Sequence, residues 1–285
     1  MSSPVQLSDL FGVKGLVAVV TGGGTGIGLM IAQALEANGA IVYIIGRRIE
    51  TLESAAKTAI HGNIIPIQGD ITSKESLVSA ANYVKDRHGY INVLLPNAGI
   101  NGPNLVALPP KASLDQLSSH LMGWSTDSFN EALNINMTGT FFTVAAFLQL
   151  LDEGNKRGNL KQKSQIIVTS SINAFSRGSL VGFAYSGSKA AVVHISKQLS
   201  SCLGPYDIRV NVIAPGLYPS ELTTPLIKQL DDADWPKEVI PERRAGDLED
   251  ITGAILFLVS RAGSYINGNV LVTDGGRLGV VPASY

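Results

Sequence analysis

An α/β fold, built on one doubly wound parallel sheet, is predicted by three features of this 285-residue chain. Short runs rich in β-branched residues alternate with helix-like segments from residue 16 to about residue 272. A glycine-rich turn closes the first of those runs and opens the first long helical pattern. Polar residues then recur just past the carboxyl ends of successive runs, the edge where open α/β sheets bind ligands.

The strand-like runs are 16–20, 41–45, 64–68, 93–95, 165–169, 209–213 and 269–272. Their nearly continuous apolar character suits strands covered on both faces. Helical patterns fall between them at about 26–38, 49–60, 73–88, 127–151, 184–203 and 248–261. Thr72 with Glu75, and Ser128 with Glu131, have capping-box spacing at two of those starts. Strict alternation demands right-handed crossovers, hence a Rossmann-type sheet of seven strands with helices on both faces. Without repeats or a low-complexity linker, one domain over 1–285 is expected. Two connections, about 100–126 and 216–247, exceed the usual loop length and read as walls of a substrate cleft. Leu105, Leu121 and Trp124 in one, with Tyr218, Leu222 and Trp235 in the other, would give that cleft an apolar lining.

The bulk composition narrows the function classes. A formal charge of −1 carries no footprint for nucleic acid or an acidic membrane. No apolar run reaches the length of a membrane span, and the N-terminus lacks the layout of a signal peptide. One cysteine, Cys202, forms no internal disulfide; as a small residue it is expected to be buried. Together these point to a cytoplasmic protein. The four histidines have no metal-ligand spacing, so no metal is expected. His120, inside the first long connection, is the one placed to reach a substrate.

The turn Gly22, Gly24, Thr25, Gly26, Ile27, Gly28 departs from the literal dinucleotide spacing but keeps its physics. Glycines allow close backbone approach to a diphosphate, and the following helix offers unpaired N–H groups. Past the second strand, Gly46 stands where an acid would grip ribose hydroxyls, and Arg47 and Arg48 follow. Loss of the carboxylate and gain of guanidinium groups favour a 2′-phosphate, hence NADP(H). Asp70 is placed to accept from the adenine amine, or to serve the start of the next helix, with Ile71 beside it. Tyr185 and Lys189, four residues apart, share one helix face. An adjacent ammonium and an oxidised, cationic nicotinamide are both expected to favour the phenolate, and Ser171 to hydrogen-bond the reacting oxygen. Asn97, Ser171 and Pro215 all fall at the same sheet edge.

In this order the pieces resemble the short-chain dehydrogenase/reductase family over about 14–276. They are T-G-x-x-x-G-x-G at Thr21–Gly28, Asp70, N-A-G at Asn97, Ala98 and Gly99, and Asn136 in N-M-T-G. Ser171, Tyr185-x-x-x-Lys189, Pro215-Gly216 and Asp274-Gly275-Gly276 complete the set. The resemblance implies a tetrad of Asn136, Ser171, Tyr185 and Lys189. Tyr185 would exchange the proton, Ser171 polarise the substrate oxygen, Lys189 hold the nicotinamide ribose, and Asn136 position a relaying water. It also implies a dimer or tetramer through helices 127–151 and 184–203. The stretch from Pro215 looks like that of members reducing acyl or polyketide carbonyls. Three departures stand out. Pro96 replaces a customary Asn. Ser171 lies fourteen residues before Tyr185, one more than is common, which leaves Ser170 as the alternative. The stretch between Gly99 and Asn136 is longer than usual. The expected activity is hydride transfer between NADP(H) and a ketone or secondary alcohol, with a bulky apolar or acyl-type substrate. A C=C or C=N substrate, or dinucleotide sensing without turnover, are the alternatives.

Overall fold

The computed structural model describes residues 6–178, 180–221 and 223–284. A short helix α1 (Leu7–Phe11) precedes β1 (Val17–Thr21), α2 (Gly26–Ala37), β2 (Ile41–Gly46), α3 (Ile49–Ala56), β3 (Ile64–Gln68), α4 (Lys74–His88) and β4 (Val93–Leu95). The second half carries α5 (Leu114–Met122), α6 (Thr126–Leu133), a π-helical segment (Asn134–Gly139), α7 (Thr140–Arg157) and β5 (Gln165–Thr169). It closes with α8 (Phe183–Cys202), β6 (Arg209–Pro215), α9 (Thr224–Asp232), α10 (Leu248–Val259) and β7 (Val270–Thr273).

The strands form one parallel sheet in the order β3-β2-β1-β4-β5-β6-β7, as the alternation requires. After β3 the chain crosses back to the other side of β1, so β1 and β4 flank the topological switch point. Residues of β1, β4, β5 and β6 are buried throughout because helices cover both faces. One apolar layer joins Val20, Ile44 and Ile213 to Leu35, Leu52 and Ile255 on α2, α3 and α10. The opposite layer joins Val19, Tyr43 and Val212 to Val84, Phe147 and Val192 on α4, α7 and α8. Alternate side chains of each strand feed alternate layers.

Several local expectations need correction. The pattern 127–151 is not one α-helix: it is α6, a π-helical turn and α7. The cause lies in tertiary contact, since Asn136 bonds the backbone of Ile100 from inside that turn, and such wide turns recur at functional sites. The two capping boxes are also displaced. Ser73 caps α4 by accepting from Ser76 N, and Ser125, not Ser128, caps α6. The first long connection contains α5, closed by a true capping box of Ser113 and Gln116. The second contains α9, and Leu222 lies outside the described residues. Cys202 is exposed, because it ends α8 on the solvent side rather than packing inward.

Candidate active site

The glycine turn is shaped by backbone contact. Gly22 and Gly26 have φ of +66° and +52°, which side chains rarely tolerate. A Cβ on Gly28 would lie 2.1 Å from the carbonyl oxygen of Gly22, so α2 starts in direct contact with the end of β1. Thr25, the N-cap of α2, makes no side-chain cap bond, which leaves the positive helix end open toward the cleft. Across the switch point, Thr21 Oγ1 accepts from the amides of Asn97 and Ala98, and Asn97 Nδ2 donates to Thr21 O at 3.1 Å. The N-A-G turn is thereby pinned to the glycine turn.

A cleft of about 560 Å³ runs along this edge, within the usual range for cofactor sites. Gly22, Gly24, Thr25, Gly26, Ile27 and Gly28 form its centre; Arg47, Arg48, Asp70 and Ile71 form one end. Asn97, Ala98, Gly99, Tyr185 and Lys189 form the other. Four predicted residues are not on its wall. Asn136 and Ser171 are buried outside the lining, whereas Ser170 is on it; Pro215 ends β6, and Gly216 follows it against Asp274, whose Cα would lie 2.7 Å from a Cβ on Gly216. Ser220 and Glu221 line the cleft although nothing in their local pattern marks them. Only the fold of the connection after β6 brings them there.

Tyr185 and Lys189 occupy the first turns of α8, and the Lys189 ammonium lies 5.8 Å from the centre of the Tyr185 ring. Lys189 is only 5% exposed and donates to Thr169 O at 3.0 Å. Ser171 is the hydroxyl that neighbours the Tyr185 phenol, and its Oγ accepts from Asn173 N at 3.1 Å. Ser170 instead turns its hydroxyl to Lys189 O at 2.8 Å, anchoring α8 to the end of β5. Ser171, not Ser170, therefore faces the phenol. Asn136 bridges Ile100 in both directions, at 2.8 and 2.9 Å, and donates to Ser188 Oγ at 2.9 Å. Gly99 lets this loop approach so closely that a Cβ would sit 3.0 Å from Asn136 Oδ1 and 3.3 Å from Lys189 Nζ.

The electrostatics modify the expectation for Tyr185. Within the protein alone, burial raises its pKa, and the Ser171 hydroxyl opposes that only in part. Burial also lowers Lys189 to about 8. Within the protein alone, burial rather than the neighbouring ammonium sets the direction of the Tyr185 shift. Asp70 is held below the usual carboxylate range by the Thr72 amide, with help from the Thr72 hydroxyl and Arg47. Its carboxylate already binds Thr72 N and Oγ1, which is the helix-start role, while its position also borders the cleft.

The shift on Lys189 has a definite sign. Between about 8 and its ordinary 10.5 the unfolded chain holds a proton that the folded chain has lost, so stability rises with pH there. Between pH 8 and 9.5, wild type should gain about 1–2 kcal/mol over Lys189→Met in urea unfolding. Parallel curves for the two proteins would contradict the burial of a titrating ammonium.

Comparison with known proteins now decides the family. The enoyl-(acyl carrier protein) reductase family model matches residues 22–277. The chain belongs to the short-chain dehydrogenase/reductase family. It is 51% identical over 293 aligned positions to short-chain dehydrogenase/reductase PhomF of Diaporthe leptostromiformis, covering 100% of both chains. It is 41% identical to short-chain dehydrogenase/reductase VdtF of Byssochlamys spectabilis, covering 98% of this chain and 97% of that one. The solved RhlG/NADP active-site complex of Pseudomonas aeruginosa superposes with a TM-score of 0.81 at 30% identity, covering 94% and 98%. As a short-chain dehydrogenase/reductase, the protein is an oxidoreductase that binds a nicotinamide dinucleotide and acts on a small molecule. No helix among the described residues is long and apolar enough to cross a membrane. No cluster of three or more His, Cys, Asp or Glu among them is placed to hold a metal.

Proposed function

We propose that the protein is an NADP(H)-dependent carbonyl reductase acting on a bulky apolar or acyl-type ketone. The observation that carries this reading is the meeting of Tyr185 and Lys189, with Ser171 beside the phenol, at the far end of a cleft whose centre is the bare glycine turn. The cleft fits a dinucleotide. Gly22, Gly24, Gly26 and Gly28, with the open N-terminus of α2, would take the diphosphate. Arg47 and Arg48 would take a 2′-phosphate, and Asn97, Ala98, Gly99, Tyr185 and Lys189 the nicotinamide riboside. When bound, the nicotinamide supplies or accepts the hydride.

The residues of this chain do the rest. Burial keeps Tyr185 a neutral phenol, the form that donates a proton to a carbonyl oxygen in the reductive direction. Ser171, beside that hydroxyl, stands where it can share the oxygen as charge develops. Lys189, fixed by Thr169 O, orients the riboside. Asn136 is a positioning residue: it locks the Ile100 loop to Ser188 on the active-site helix. His120 Nε2 donates to Asn104 O at 3.0 Å and its ring stacks edge-on to Trp124, so it organises the first long connection. A homo-oligomer built on α6 to α8 is part of this reading, as is a cytoplasmic setting.

An NADPH-oxidation assay over a graded series of ketones and acyl thioesters, with NADH in parallel, tests it. Turnover with NADPH should exceed that with NADH by at least about tenfold, since a paired phosphate is worth a charged hydrogen bond or more. Bulky ketones should exceed small ones in kcat/KM. A strong NADH preference would remove the role of the arginines, and equal rates across ketone size would remove the apolar wall.

A further inference from the structure

Arg48 does not project free into the cleft. Its Nη2 meets both carboxylate oxygens of Glu221, at 3.0 and 3.1 Å, across 173 residues of sequence. Both residues border the cleft beside Arg47. Gly46, at the end of β2, supplies no carboxylate at this place, and Asp70, the other acid on the wall, is bound to Thr72. Glu221 is therefore the acid that faces Arg48, and it comes from the substrate-side connection.

Its position is set by the backbone. Ser220 rests on the glycine turn, with its Cβ 3.0 Å from where a Cβ on Gly26 would stand. Ser220 O accepts from Thr224 Oγ1 at 2.7 Å, and Ser220 Oγ pairs with Thr223 Oγ1 at 2.9 Å. A turn held in this way presents residue 221 to Arg48.

We infer that Glu221 is a specificity-determining residue that competes with the cofactor's 2′-phosphate for Arg48. The inference rests on the NADP(H) reading. Glu221 engages Arg48 through Nη2 alone, and two anions on one guanidinium repel, so a 2′-phosphate seated on that nitrogen displaces Glu221. The side chains of the pair are 59% and 61% exposed, and ion pairs so exposed are weak. Paired arginine therefore exceeds open arginine only a few-fold, and apparent affinity falls by that ratio. The competition touches only ligands that carry the 2′-phosphate. Glu221 thus narrows the preference for NADPH over NADH without abolishing it.

Calorimetric titration at fixed ionic strength tests this with four probes: NADPH, NADH, adenosine 2′,5′-bisphosphate and AMP. The proteins are wild type, Glu221→Gln, Arg48→Met, the double variant and Arg47→Met. Glu221→Gln should bind the two 2′-phosphorylated ligands about two- to fivefold more tightly, with NADH and AMP changed by less than about 1.5-fold. Most of that gain should vanish when Arg48 is already Met. An unchanged ratio in Glu221→Gln, with Arg48→Met still selectively weakening NADPH, overturns the competition and leaves the NADP(H) reading standing. An equal gain in both Arg48 backgrounds overturns it too, since Glu221 would then act only as a distant charge. Weaker binding of all four ligands would make Glu221 a holding residue, the opposite result. If neither arginine variant distinguishes NADPH from NADH, the NADP(H) reading itself fails.

Discussion

Replacing Tyr185 by Phe should lower kcat by about 10²–10⁴-fold, the usual worth of a positioned proton donor, while NADPH affinity stays within about threefold of wild type. The separation follows from geometry. On the proposed reading the phenol oxygen serves Ser171 and the reacting oxygen, whereas the cofactor's weight would fall on the glycine turn and the arginines. The ring remains to fill its place at the start of α8. Single-turnover kinetics together with a binding titration decide the matter. A Phe variant that loses both in equal measure would mark Tyr185 as a packing residue and remove the catalytic reading.

Gly28→Val is the second large effect, and it reaches further than the cleft. The added Cβ would lie 2.1 Å from Gly22 O and 2.5 Å from Asn97 Nδ2, so either α2 or β1 must move. Backbone cannot yield as a side-chain tip can, and the overlap should cost about 3 kcal/mol or more of unfolding free energy. Moving α2 away also separates its N-terminus from the diphosphate position, so NADPH binding should fall by more than about a hundredfold. Urea unfolding and a cofactor titration on the same preparation report both. Normal stability with normal binding would show that the turn has slack the geometry denies.

How far the site was legible in the sequence depends on the range of the interaction. The glycine turn and the Tyr185–Lys189 pair are local patterns, readable because a turn or one helix face brings their parts together without help. The π-helical turn at Asn136 was not legible, since its cause is a hydrogen bond to Ile100, thirty-six residues away. The choice of Ser171 over Ser170 was equally closed, because two adjacent serines differ only in which neighbour they meet. The environment of the pair was equally closed: spacing reveals that an ammonium is near the phenol, but not that Lys189 is buried.

Residue order alone determined the alternating elements, the parallel sheet and the edge at which chemistry collects, because hydrophobic periodicity and crossover handedness act within short stretches. Tertiary structure decided which polar atoms face one another. Glu221 against Arg48 is the plainest case: two side chains from opposite halves of the chain, joined only once the connection after β6 settles on the glycine turn. Contacts of that kind follow from where the backbone travels in three dimensions, and no local pattern encodes them.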